Sequence, residues 1–160
     1  MRILDAIEWS SFTAVANVEG TAVAATESGY LFIWAERAQG SDTTLVQWRD
    51  LSLTPFAIGT QGIAGSASFS LPADLAELYN RPLVAMDVSE SGELYTATAW
   101  DDGEDDGPYR SAVLAIGQVV DGRVVMDAEP VVIGTLEGFR VESVALRSVG
   151  GAKGLFIGTD

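Results

Sequence analysis

A chain of 160 residues has the length of one domain and can bury a real core. Its 48% hydrophobic and 20% charged residues exclude an intrinsically disordered chain, and its formal net charge of −14 excludes non-specific attraction to phosphate backbones or anionic lipid surfaces. The absence of cysteine and histidine removes disulfides, thiolate chemistry, Ser-His-Asp triads and ordinary zinc sites together.

The N-terminal MRILDAIEWSSF has no basic region followed by an apolar run, and no window approaches the ~20 apolar residues that span a bilayer. A soluble, cytoplasmic protein with no nucleic-acid or membrane partner is expected. Ile3–Trp9 and Phe12–Val18 are short apolar strand candidates, closed by a turn at Asn17–Gly20. Residues 21–35, TAVAATESGYLFIWA, read as a small-residue strand, a Thr-Glu-Ser-Gly turn and an aromatic-rich strand. Thr44–Leu51 alternates as a half-exposed strand, and Leu53–Ile63 and Ala67–Phe69 are further strand candidates. Ser70-Leu71-Pro72 before ADLAELYN predicts one short helix near 72–79, with Ser70 as cap and Leu75, Leu78 and Tyr79 as its buried stripe. Asn80-Arg81-Pro82 ends it, because the residue before proline avoids helical geometry.

Leu83–Ala99, LVAMDVSESGELYTATA, is the clearest strand–turn–strand unit. An acidic loop at Asp101–Gly107 follows, then strands Ser111–Val120 and Arg123–Ile133 around the hairpin signal Asp121-Gly122. Val141–Leu146, a glycine turn and Leu155–Gly158 form a third hairpin. The pairs Leu31-Phe32, Leu94-Tyr95 and Leu155-Phe156 stand 63 and 61 residues apart, each after a glycine turn. Roughly four strands per repeat is the arithmetic of a β-propeller blade. The expected fold is therefore all-β and propeller-like, about three four-stranded antiparallel blades, with a β-sandwich as the alternative. The repeats run 21–82, 83–140, and 141–160 plus 1–20 within a single domain. Three blades are fewer than the ~4 at which a ring closes, so self-association or a longer natural chain is expected.

The segments SGELYTATAWDD (91–102) and VESVALRSVGGAKGLFIGTD (141–160) resemble blade-start segments of bacterial six-bladed propellers. The esterase-like phytase and strictosidine-synthase-like groups are the nearest in pattern, with a Glu-Gly-apolar strand, a glycine turn and a Leu-Tyr-Ile/Val-Gly/Ala strand. The pattern departs at Glu142-Ser143, where glycine is expected second. The resemblance implies a fold, and places Glu142 and Asp160 where such families set metal-facing acids.

Asp101, Asp102, Glu104, Asp105 and Asp106 put five carboxylates in seven residues, a set of hard oxygen donors suited to Ca²⁺ but out of register with an EF-hand. The bland alternative is a solvated hairpin tip held open by like charges. Asp87 and Glu142 occupy corresponding parts of the second and third copies and are candidates to face a central channel, where converging acids bind a metal and activate water. The alternative for each is an ordinary solvent-side acid. Trp9, Trp34, Trp48 and Trp100 read as core or rim packing rather than a nucleic-acid platform, since basic neighbours are missing. Gly59–Gly65 lacks the Lys-Ser/Thr of a phosphate loop and reads as turns. Lys153 is the only lysine, and no serine has an evident activating base. The expected function is a non-catalytic acidic binding or interaction module that completes a ring by self-association or takes a protein partner. The alternative is a Ca²⁺- or Mg²⁺-dependent phosphoesterase or lactonase-like hydrolase with acids in a channel.

Overall fold

The computed structural model describes residues 17–38, 40–59, 62–101, 103 and 108–159. Ile3–Trp9, nearly all of Phe12–Val18, and Asp102, Glu104, Asp105, Asp106 and Asp160 lie outside the described residues. Among those described, the chain is all-β with a single four-residue helix.

Three antiparallel meanders follow one another. The first comprises β1 (Val18–Thr26), β2 (Gly29–Glu36), β3 (Thr43–Leu53), β4 (Phe56–Ile58) and β5 (Ala64–Ser70). β4 pairs with β3 at Leu51–Leu53 and β5 pairs with it at Thr43–Arg49, so the two share one position beside β3 and the sheet is four strands wide. Helix α1 (Ala73–Ala76) then leads to the second sheet, β6 (Arg81–Val88), β7 (Glu93–Trp100), β8 (Arg110–Val120) and β9 (Arg123–Glu137), in sequential order. β10 (Val141–Val149) and β11 (Ala152–Thr159) form a two-stranded third sheet. Among the described residues no sheet closes on itself.

The turns follow local chemistry. β8 and β9 are joined at Asp121-Gly122, with φ of 51° and 73°, the paired left-handed geometry that favours Asp-Gly in tight hairpins. Ser70 does not cap α1: Pro72 holds the N-cap position without a side-chain bond. As the last residue of β5, Ser70 is registered opposite Thr43, and the two hydroxyl oxygens lie 2.9 Å apart. One helical turn buries Leu75 and Tyr79 but leaves Leu78 42% exposed, so the expected stripe is one residue short.

The second sheet lies between the other two and is buried on both faces. One face joins Leu83, Met86, Leu94, Leu114 and Ile116 to Leu31, Ile33, Val46 and Trp48 of the first sheet. The other face joins Val84, Ala97, Ala99 and Val113 to Val141, Val144, Leu155 and Ile157 of the third. Strands covered on both faces are buried at consecutive residues: Pro82–Met86 does this as an apolar run, and Thr96–Ala99 with two buried threonines whose hydroxyls donate to the Ala85 and Arg81 carbonyls. The small side chains of Ala85, Ala97, Ala99 and Ala112 let the layers approach.

The Leu-aromatic pairs are not equivalent places in their sheets. Leu94 and Leu155 each point back toward the preceding sheet, whereas Leu31 points forward and meets Leu94 in one core. Side chains alternate faces along a strand, so a one-residue difference in turn length is enough to reverse a motif's direction. The turn between β1 and β2 has two residues between paired positions Thr26 and Gly29, while that between β6 and β7 spans Ser89–Glu93.

The first strands of the meanders run together. β6 lies beside both β1 and β10. Gly20 of β1 sits so close to Leu83 and Met86 that a Cβ there would stand 2.3 Å from the Leu83 side chain. The β1–β2 turn and Ser91 of the β6–β7 turn line one cleft, so β1 and β6 share a direction. Arg81 and Arg140 meet at the start of β6 and β10, and Asp87 meets Leu146 toward their ends, so these two also run the same way.

Candidate functional site

The polar residues of the seam between the second and third sheets gather at its two ends. At one end, Asn80 fixes the backbone of Asp101: its Nδ2 donates to the Asp101 carbonyl at 2.7 Å, and its Oδ1 accepts from the Asp101 N–H at 3.0 Å. The Asp101 carboxylate, only 3% exposed as a residue, then accepts from Arg81 Nη2 at 2.8 Å, Arg140 Nη1 at 3.1 Å and the Gly103 N–H at 2.7 Å. Arg140 continues the chain to Glu142, Nε to Oε1 at 2.6 Å, and its guanidinium lies 5.3 Å from the Tyr109 ring centre. Burial pushes the Asp101 carboxyl up, but the Gly103 N–H and the two guanidiniums outweigh it and hold the group below the usual carboxylate range. Ser111 ties the same corner together, donating to the Phe139 carbonyl and accepting from the Val141 N–H, each at 3.0 Å.

At the other end, the Ser-Glu-Ser-Gly-Glu turn of Ser89–Glu93 faces the β10–β11 hairpin across a cleft of about 280 Å³. The turn is closed locally: Gly92 donates to the Ser89 carbonyl, and Ser89 Oγ accepts from the Glu93 N–H. Gly92 has a φ of +86°, and a Cβ there would stand 2.9 Å from the Val119 carbonyl oxygen, so glycine is required. Lys153 Nζ donates to Glu93 Oε2 and, at 3.4 Å, to Ser91 Oγ, while Ser91 Oγ donates to Glu93 at 3.0 Å. Asp87 accepts from the Leu146 N–H at 2.7 Å and from Arg147 Nη1 at 3.1 Å.

This cluster has the composition of a Ser-Lys pair but the electrostatics of the opposite kind. A lysine that activates serine must be neutral, which requires a depressed pKa. The Glu93 hydrogen bond raises Lys153 above its ordinary value, and the same bond holds Glu93 below the usual carboxylate range. Ser91 therefore faces an ammonium and has no base in Lys153. The cleft offers serine hydroxyls and paired charges, a surface for hydrogen bonding rather than proton transfer.

The sequence candidates divide between these ends. Asp101 serves as the acceptor at the centre of a two-arginine junction, so a cation at its carboxylate would meet two positive charges already in place. Asp102, Glu104, Asp105 and Asp106 lie outside the described residues. Asp87 and Glu142 do not meet: Asp87 sits at the cleft end and Glu142 at the junction end, each on its own arginine. Among the described residues no group of three or more His, Cys, Asp or Glu side chains is arranged to hold a metal ion. No helix among them is long and apolar enough to cross a membrane.

The cleft was missed because Ser89, Ser91 and Lys153 look unremarkable one at a time. The signal lay in a spacing. Glu93–Lys153 and Asp87–Arg147 are each 60 residues apart and Ser91–Lys153 62, close to the 61 and 63 residues that separate the Leu-aromatic pairs, and these residues face each other across the seam. No protein-family model matches the chain, and neither the curated proteins nor the solved structures include a match.

Proposed function

We propose that this chain is a non-catalytic, acidic interaction module, part of a β-propeller-type ring that a second copy completes. The observation that carries the reading is the run of β1, β6 and β10 side by side in one direction, each opening its own meander. Radial repetition of four-stranded sheets has this pattern, and it closes only with about four or more blades. The described residues contribute two sheets four strands wide and two strands of a third. The outer faces at both ends of the stack carry apolar side chains: Val23, Tyr30 and Leu45 on the first sheet, at 48%, 41% and 39% exposure, and Val149 and Phe156 on the third, at 57% and 52%. Faces of this kind are liabilities on a free monomer and assets at an interface.

The non-catalytic part of the reading rests on charge pairing. Lys153 is held protonated, Asp101 is held between two guanidiniums, and Asp87 and Glu142 are separated. Light scattering after size exclusion at micromolar concentration tests ring completion. A dimer is expected, and Phe156→Lys, which puts a charge on an exposed outer face without touching the cores, is expected to shift it to monomer. A wild-type protein that is monomeric throughout sinks the self-association. Calorimetric titration with Ca²⁺ addresses chemistry: a tight site whose loading brings phosphate-ester or lactone hydrolysis would overturn the non-catalytic reading.

A further inference from the structure

The outer edge of the second sheet and helix α1 form a surface that ring completion does not use. β9 is the last strand of its sheet, and among the described residues no strand pairs with its far edge. Its middle is distorted: Asp127–Pro130 all stand opposite the single residue Ile116, because Met126 pairs with Gly117 and Val131 with Ala115. Beyond this bulge the strand rejoins β8, with Val132 opposite Leu114 and Ile133 bulged out before Gly134. Val131, Val132 and Ile133 are 57%, 43% and 50% exposed, three consecutive apolar residues on a free edge. Natural proteins guard such edges with proline, charge and bulges, and between Pro130 and Gly134 the bulge at Ile133 is the one such device, with no charge among Val131, Val132 and Ile133.

Beside this edge lies a cleft of about 480 Å³ between α1 and β9. Leu71, Pro72 and Leu75 line one wall, Pro130 and Val132 the other, and Asp74 and Glu129 flank them. Residues 70–79 and 124–137 carry five carboxylates, Asp74, Glu77, Asp127, Glu129 and Glu137, with no lysine or arginine, and all five residues are exposed.

We propose that this surface docks an extended segment of a protein partner that alternates apolar and basic side chains. The segment's backbone pairs with the open edge of β9 from Val131 onward, one apolar side chain enters the cleft against Pro72 and Pro130, and the basic side chains meet Asp74, Glu129 and Glu137. Edge pairing supplies affinity and alternate side chains supply selectivity in this mode of recognition. The charge pattern argues against a second copy of this chain as occupant. Two β9 edges paired antiparallel about Val132 would bring Asp127 opposite the other copy's Glu137 and Glu129 beside it, a like-charge register that costs affinity. The proposal deepens the interaction-module reading by naming a partner class, and it does not depend on ring completion.

Fluorescence anisotropy with a labelled octapeptide of alternating lysine and valine tests it on the full chain. Saturable binding is expected, weakening as salt rises, with no binding of the matching glutamate–valine peptide. Val132→Asp adds negative charge but removes the apolar wall, so roughly tenfold weaker binding is expected; equal or tighter binding would show only diffuse attraction to an acidic surface and overturn the proposal. Glu129→Lys should also weaken binding, while Phe156→Lys should leave it unchanged even as it breaks the dimer. Both edge positions are exposed, and circular dichroism should show the variants folded. A dimer that Val132→Asp dissolves and Phe156→Lys spares would make a second copy the occupant and overturn the proposal. Loss of ring completion with the peptide still bound would fail the ring reading alone.

Discussion

The two ends of the β6–β10 seam use the same materials, carboxylates bonded to cations across neighbouring sheets, with different consequences. At the junction end, the Arg81 and Asp101 side chains are 9% and 4% exposed, so each charge has lost most of its water and depends on its partners. At the cleft end, Lys153 and Glu93 are 63% and 37% exposed, and solvent screens whatever the pair gains. Burial, rather than the number of bonds, decides which pair holds the sheets together. A buried charge cannot lose its partner cheaply, whereas an exposed one turns to water.

Removing the central acceptor should give the largest effect. Asp101→Ala leaves the buried Arg81 without a counter-charge and Arg140 with Glu142 alone, and breaking such a buried pair costs about 3–5 kcal/mol. Thermal unfolding should fall by about 10 °C or more. A variant that melts with the wild type would mean that the junction does not couple the sheets.

The same end should govern the acid limb of stability. Asp101 titrates lower in the folded protein than in the unfolded chain, so its contribution is complete above the ordinary carboxylate value of 3.8 and is lost as pH falls through the depressed folded value. Urea unfolding below about pH 4 should therefore show a steeper loss of stability for the wild type than for Asp101→Asn, which has no proton to take up there. Parallel slopes would contradict the assignment.

Asp87 stands between the extremes, with a side chain 18% exposed and a backbone N–H among its donors. Asp87→Ala should cost about 1–2 kcal/mol, chiefly through the unmatched Leu146 N–H. Hydrogen exchange should then be faster at Leu146 while the Arg140–Val141 region keeps its protection. Lys153→Met should produce no shift in melting temperature beyond experimental scatter, although it should bring the Glu93 carboxyl back up toward its ordinary range, a change that carbon-detected NMR titration reads directly. A large melting shift in this variant would erase the distinction between the two ends.

Much of the local structure was legible in the chain. Asp121-Gly122 between apolar runs defined its hairpin, and the glycine turns of the three copies marked the first pair of strands in each sheet. The helix was legible as an element but its cap was not, because the hydroxyl of Ser70 had a competing partner, Thr43, 27 residues away. The direction of Leu31 was equally hidden. Its motif shares Glu-Ser-Gly-x-Leu-aromatic with that of Leu94, yet the shorter preceding turn reverses the face.

The candidate sites were legible as residue types and misleading as groupings. Asp87 and Glu142 read as counterparts, but Asp87 near the end of β6 faces Arg147, 60 residues on, while Glu142 stands at the start of β10 beside Arg140, at the other end of the seam. Asp101 read as one carboxylate among five, and its neighbours in space turned out to be Arg81 and Arg140, 20 and 39 residues away in the chain.

The sequence by itself determined the all-β character and the positions of the turns, and it excluded histidine and cysteine chemistry, because alternation, glycine placement and composition act over a few residues or none. Which face of each strand is buried, which charges lose their water and which serine meets the one lysine were decided only by the tertiary structure. Those outcomes depend on sheets stacking about 60 residues apart in sequence, and no local pattern encodes the environment that a distant strand provides.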